Sequence, residues 1–168
     1  MCKVIWIRDE RESQSMISIY DVAAAFLTKE FTPNKKLQKL CYYSQAWYLA
    51  LNSEPLIKDC RFEAWIHGPV CPELYFKYRE YGPGYILAEG KNGEKIFSDS
   101  YLAHFIERIY ETYGKLSGDE LEMLTHIELP WIKARKGLSD WQSSNNSISN
   151  EDMMSYFSEL LQKTRISS

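Results

Sequence analysis

Residues 36–51 read KLQKLCYYSQAWYLAL, and laying this stretch on a helix decides the fold. Leu37, Leu40, Cys41, Ser44, Trp47, Tyr48 and Leu51 recur at spacings of three, four and seven. A helix buries such a stripe against its neighbours. Lys35, Lys36, Lys39, Tyr42, Tyr43 and Gln45 fall on the other faces. Tyr42 and Tyr43 cannot both enter the same stripe, so one of them is expected to be accessible. Thr32 is expected to cap this helix with Pro33 at its first helical position, and Asn52 is its stop signal.

Working outward, Ser18 and Asp21 have the spacing of a capping box for an earlier helix, Ser18 to Glu30. Its apolar positions are Ile19, Val22, Ala23, Phe26 and Leu27. After the central helix, Arg61 to Ile66 alternates as a short strand does, and Gly68-Pro69 breaks it. Pro72 opens a helix through Tyr81, which Gly82 ends. Residues 85–97 are expected to form a hairpin, with Asn92-Gly93 as the turn. A further helix begins at Ser98 or Ser100 and closes at Gly114. Ser117 and Glu120 form a second capping box, for a helix that stops before Pro130. Residues 137–150 are rich in Ser and Asn and read as a loop. Ser149 and Asp152 cap the last helix, with Ile148 and Met153 as a hydrophobic staple; it runs to Thr164. The expected fold is α+β and mostly α-helical, about six helices with a small antiparallel β-sheet or hairpin.

Residues 1–15 admit two readings. They are an N-terminal extension outside the domain of residues 16–168, with Met16 as the natural start, or they hold a first strand from Lys3 to Ile7. No apolar run approaches the roughly 18 residues of a membrane span. The apolar part of the first ten residues is too short for a signal-peptide core, so a cytoplasmic location is expected.

The chain has 168 residues, a formal net charge of −3 and four cysteines. The acidic balance argues against broad nucleic-acid binding, which relies on many Lys and Arg contacts to phosphate. The 12 tyrosines and 5 tryptophans exceed what a core of this size demands, which hints at an interface. Phosphate-binding glycine loops and a nucleophile elbow are absent from the sequence. Cys2, Cys41, Cys60 and Cys71 lack CxxC spacing and are expected as free thiols. A zinc site from His67 and Cys71 with Cys60 or Cys41 would need irregular ligand spacing. No metal, cofactor or enzymatic activity is therefore expected.

Three stretches carry a more specific signal: KLQKLCYYSQAWYLAL at 36–51, FEAWIHGPVCPELY at 62–75 and LTHIELPWIKAR at 124–135. In this order and at these distances they resemble the Panacea domain, also described as SocA-like or phage-associated GepA-like. The resemblance covers most of residues 16–165. It implies an antitoxin that neutralises a cognate toxin, encoded beside it, by direct binding. It also implies an alternative, a proteolytic adaptor that delivers the toxin to an ATP-dependent protease. A nucleic-acid-binding autoregulator is a further alternative. The family's motif residues are not catalytic, so no active site is carried over. Cys41 and Cys71 stand where other small or apolar residues are expected.

Within these motifs Gly68 and Pro69 allow the chain to turn sharply from the strand. Gly68, Pro69, Val70, Thr125, His126, Pro130 and Trp131 are expected to be architectural, with His126 at a helix end and Trp131 in the core. The partner-binding residues expected from the sequence are Lys35, Lys39, Tyr42 and Tyr43 on the central helix, with Trp65 and His67 at the corner.

Overall fold

The computed structural model describes residues 16–87 and 93–166. Both readings of residues 1–15 lie outside the described residues. The elements are α1 (Ile19–Leu27), β1 (Thr32–Pro33), α2 (Asn34–Asn52), β2 (Glu63–Trp65), β3 (Gly68–Val70), α3 (Pro72–Tyr78) with a 3-10 turn at Arg79–Tyr81, β4 (Tyr85–Ile86), α4 (Glu94–Phe97), α5 (Ser100–Tyr113), α6 (Gly118–His126), α7 (Leu129–Ala134) and α8 (Asn150–Ile166). The fold is α+β and mostly helical. It has eight α-helices among the described residues, where the sequence suggests about six; α4 and α7 are the short ones.

Side-chain caps set several helix starts. Ser18 accepts from the Asp21 backbone N–H while the Asp21 carboxylate accepts from the Ser18 N–H. Ser117 and Glu120 repeat this reciprocal pair at α6. The Ser149 hydroxyl accepts from the Asp152 N–H, with Ile148 and Met153 buried on either side. Each arrangement satisfies N–H groups that the helix itself leaves without partners.

Helix α2 departs from its expected place at the surface. It packs against α1, α3, α5, α6 and α8, so its second and third faces are covered as well as its apolar stripe. Tyr42 and Tyr43 are both fully buried, which overturns the expectation that one is accessible. Lys39 is 1% exposed and Lys36 is buried too. The polar residues of these faces are consumed inside the fold. Gln38 accepts from the Cys71 N–H at 2.8 Å and donates to the Cys71 carbonyl at 3.3 Å. Gln45 clamps Ile57 in the same two-point way, at 2.8 and 3.2 Å. Lys36 donates to the Gly114 carbonyl and pairs with Glu30. Buried polar groups are mostly hydrogen-bonded; Lys36, Gln38, Lys39 and Gln45 of this helix meet that condition through distant segments, while the buried Tyr42 hydroxyl does not.

The aromatic side chains fill the space around α2. Tyr43 stacks on Tyr113 with centroids 4.0 Å apart. Phe157 of α8 meets Tyr42, Tyr43 and Trp47 edge-on. Such offset and edge contacts add roughly 0.5–1.5 kcal/mol beyond area burial. The Trp47 indole N–H donates to the Tyr113 hydroxyl at 2.8 Å.

The small sheets also differ in place from the sequence reading. Residues 63–70 form the hairpin, with Glu63 opposite Val70, Ala64 opposite Pro69 and Trp65 opposite Gly68. Gly68-Pro69 thus opens a second strand rather than ending the structure. Segment 146–148 flanks the other side of β2: Ala64 N–H donates to Asn146 and Ile148 N–H to Phe62, both at 2.8 Å. The described residues of the hairpin expected at 85–97 do not pair with each other. Tyr85–Ile86 pairs with Thr32–Pro33, and residues 94–97 are helical. Asn92 lies outside the described residues; Gly93, at φ +59, precedes α4 as its N-cap. Thr32 and Pro33 belong to β1, so α2 begins at Asn34 and Pro33 is its N-cap.

Candidate protein-binding site

The β2–β3 hairpin exists because Gly68 sits at φ +92, where side chains are strained, and because there is no room beside it. A Cβ at Gly68 would lie 2.7 Å from Lys39 Cε and 2.7 Å from Thr125 Oγ1. The hairpin therefore lies flat on α2 and α6. Its backbone is tied from below: Lys39 Nζ donates to the Pro69 carbonyl at 3.1 Å. Burial, opposed by the nearby Glu122 charge, brings the Lys39 ammonium down to about 7.

Helix α7 holds the hairpin from behind. The Trp131 indole N–H donates to the Trp65 carbonyl at 3.0 Å. The His126 ring stacks on Trp131 with centroids 4.2 Å apart, and burial keeps its pKa below the ordinary histidine value. Arg135 is 5% exposed and donates to the carbonyls of Ala64, Ser139 and Gln142. It joins β2 to the loop after α7. Gly68, Pro69, Thr125, Trp131 and Arg135 are thus internal supports, and Val70 and Pro130 are buried with them.

On the outer side the hairpin tip presents His67, whose side chain is 74% exposed. Its Nδ1 lies 2.9 Å from Glu122 Oε1. Lys35 pairs with the same Glu122 and with Asp119, the latter at 2.6 Å. Burial opposes the ionised form of Glu122, yet the bonds from Lys35 and His67 hold its carboxyl below the usual range. The result is a polar string, His67–Glu122–Lys35–Asp119, across α6 and the start of α2.

Two apolar features border this string. Met123 and Ile127, one helical turn apart on and just after α6, are 70% and 73% exposed. Leu129 and Ile132 on α7 are also exposed. Trp65, Ile66 and His67 line an open groove of about 490 Å³ with Ser143, Ser144 and Asn145. Trp65 is half-buried against Tyr75 and donates from its indole to Glu63. Aromatic and aliphatic side chains beside a charged rim have the makeup of an interface centre.

Of the six residues expected to bind a partner, the structure brings Lys35, Trp65 and His67 to this face. Tyr42, Tyr43 and Lys39 are beneath it or in the core. Lys36, Lys39, Tyr42 and Tyr43 are buried and Lys35 is paired, so these residues do not make a basic surface. His67 pairs with Glu122 and Cys71 with Glu73, so the His67 and Cys71 side chains face different partners. The sequence reading missed Met123, Ile127, Leu129 and Ile132. Their signal was apolar residues out of phase with the buried positions Leu121 and Thr125. No helix among the described residues is long and apolar enough to cross a membrane.

The family model described as "Antitoxin SocA-like, Panacea domain" matches residues 37–132. The match runs from the first turn of α2 into α7, and includes Trp65, His67, Glu122, Met123 and Ile127. The antitoxin SocA of Caulobacter vibrioides is 31% identical over 108 residues, which cover 58% of this chain and 57% of that protein. The matched part thus spans little more than half of the relative's length. No solved structure matches the chain significantly.

Proposed function

The chain belongs to the family of SocA-like, Panacea-domain antitoxins, and from that premise we propose that it neutralises a cognate toxin by binding it directly. Binding is stoichiometric and uses no catalytic step. The toxin docks on the face made by the hairpin tip and helices α6 and α7. Met123 and Ile127 are its apolar anchors, and the His67–Glu122–Lys35 string is its polar rim. The observation that carries this reading is the exposure of those two aliphatic side chains on a rigidly supported face. A few apolar anchors of this kind supply most of the energy of an interface, and water exclusion around them strengthens the adjoining charged contacts.

Rescue and co-purification test the reading together. The neighbouring open reading frame is placed under an inducible promoter, alone and with this chain. Growth arrest by the neighbour alone, growth restored by co-expression and a complex recovered by affinity purification are the expected results. A harmless neighbour, or rescue with no complex, overturns direct neutralisation. Rescue in which the toxin disappears, but survives in a strain lacking its ATP-dependent proteases, supports the adaptor reading instead.

A further inference from the structure

The loop between α2 and β2 brings Cys60 against the end of β3, where Cys71 precedes α3. The first turn of α3 adds Glu73. One ligand atom from each of Cys60, Cys71 and Glu73 lies within 4.8 Å of the other two. Cys71 Sγ is 3.2 Å from Glu73 Oε2. A tetrahedral zinc ion with bonds of about 2.3 Å to sulfur and 2.0 Å to oxygen spaces its ligand atoms about 3.5–3.8 Å apart. The three groups reach that geometry by side-chain adjustments of about an ångström.

The surroundings fix the cluster before any ion arrives. Gln38 grips the backbone of Cys71 at both N–H and carbonyl. Asp59, next to Cys60, accepts from the Ile19 N–H at 3.0 Å and so ties this loop to the start of α1. Cys71 is buried, Cys60 half-buried and Glu73 exposed, which leaves an entry path on the carboxylate side. Cys60 and Cys71 are free thiols. His67 is not at the cluster; it pairs with Glu122 on the other side of the hairpin sequence.

We propose that Cys60, Cys71 and Glu73 form a binding site for one zinc-class divalent cation. Two sulfur donors select a borderline-soft ion over magnesium or calcium, which take oxygen ligands. Both thiols give up their protons to the solvent as they bind, and the carboxylate binds in its ionised form. The fourth position is open to water. The ion joins the α2–β2 loop to the junction of β3 and α3, where Gln38 holds Cys71 and Asp59 holds the loop to α1. Because it binds the folded chain, it stabilises that chain by mass action.

Cobalt titration of the full chain tests the site. The protein is stripped with chelator, kept reduced with a phosphine and titrated with Co²⁺. The expected result is thiolate-to-cobalt charge-transfer absorption that saturates at one equivalent, is displaced by Zn²⁺, and accompanies a rise in Tm. Cys60→Ser and Glu73→Gln alter the half-buried and exposed ligands, so the fold tolerates both. Each weakens binding by at least the roughly tenfold that even outer-shell losses cost, and Cys60→Ser also cuts the charge-transfer intensity by half or more. Cys2→Ser leaves binding unchanged. Absence of sulfur charge transfer in the unaltered chain, its persistence at full strength in Cys60→Ser, or its loss in Cys2→Ser overturns the proposal.

Discussion

A Cβ on Gly68 would fall 2.7 Å from the Cε of Lys39, so the hairpin that carries His67 rests directly on a buried lysine. Gly68→Ala forces both a strained φ and a displacement of the Lys39 stem. Positive-φ strain in a non-glycine residue costs of order 1–3 kcal/mol, and the Thr125 Oγ1 contact on the other side blocks an easy escape. Denaturant unfolding should show a loss of about that size for Gly68→Ala. Gly82→Ala is the control: it shares the positive φ but has no atom within 4 Å of the added Cβ, so its loss is smaller.

Lys39 makes stability depend on alkaline pH. Its ammonium is lowered by burial to about 7, from an ordinary 10.5. Below pH 7 it is protonated in both folded and unfolded chains, and folding bears the whole desolvation cost. Between pH 7 and 10.5 the folded chain has released a proton that the unfolded chain keeps, so stability rises with pH. The charged groups that act on it are Glu122, which favours the proton, and Lys35, which opposes it. Lys39→Met keeps the stem and removes the charge. Urea unfolding across this window should show a rising stability in the unaltered chain and a flatter profile in the variant.

Glu128 acts in the opposite direction at lower pH. Burial raises its carboxyl to about 8, although the bond from the Tyr43 hydroxyl pulls the other way. Tyr113 and Tyr156 also lie close enough to feel its charge. A carboxyl raised in the folded state binds a proton that the unfolded chain has lost, so its contribution is complete below about pH 4.5. That contribution is lost as pH rises toward 8. Glu128→Gln keeps an acceptor for Tyr43 and cannot ionise. The expected outcome is a variant whose Tm exceeds that of the unaltered chain at pH 8 and whose decline between pH 5 and 8 is shallower.

The parts of this fold that were legible in the sequence are the local ones. Ser18–Asp21, Ser117–Glu120 and Ser149–Asp152 are satisfied within one turn, so a pattern of four residues suffices. The burial of most of α2 was not legible, because a helix with Lys and Gln off its apolar stripe ordinarily turns those faces to water. Here their partners lie far away in sequence: Gln38 reaches Cys71, 33 residues on, and Lys39 reaches Pro69, 30 residues on. The Asn92-Gly93 signal was read as a hairpin turn, yet Gly93 uses its positive φ to enter α4 while β4 pairs back to β1. At the candidate site a sharp turn at Gly68-Pro69 was legible, but the hairpin it makes was not, because the pairing of Glu63–Trp65 with Gly68–Val70 follows a break signal that reads as the end of a strand. The apolar anchors were not, since an apolar residue in a short helix is more often core than surface.

Met123 and Ile127 therefore provide the sharpest test of the docking face. An aspartate at either position stands in solvent in the free chain, where surface changes are usually within about 0.5 kcal/mol. Against a toxin it would place an unpaired charge at the centre of an apolar contact, where truncation of an anchor alone costs about 2 kcal/mol or more. Ile127→Asp and Met123→Asp should keep the Tm of the unaltered chain while weakening the toxin complex by at least about thirtyfold and losing growth rescue. Tyr85→Asp, an equally exposed site on the separate β1–β4 ribbon, should retain both. Calorimetry of the purified pairs reads the affinities. If Tyr85→Asp abolishes binding and Ile127→Asp does not, the toxin docks on the ribbon and the α6–α7 face is free.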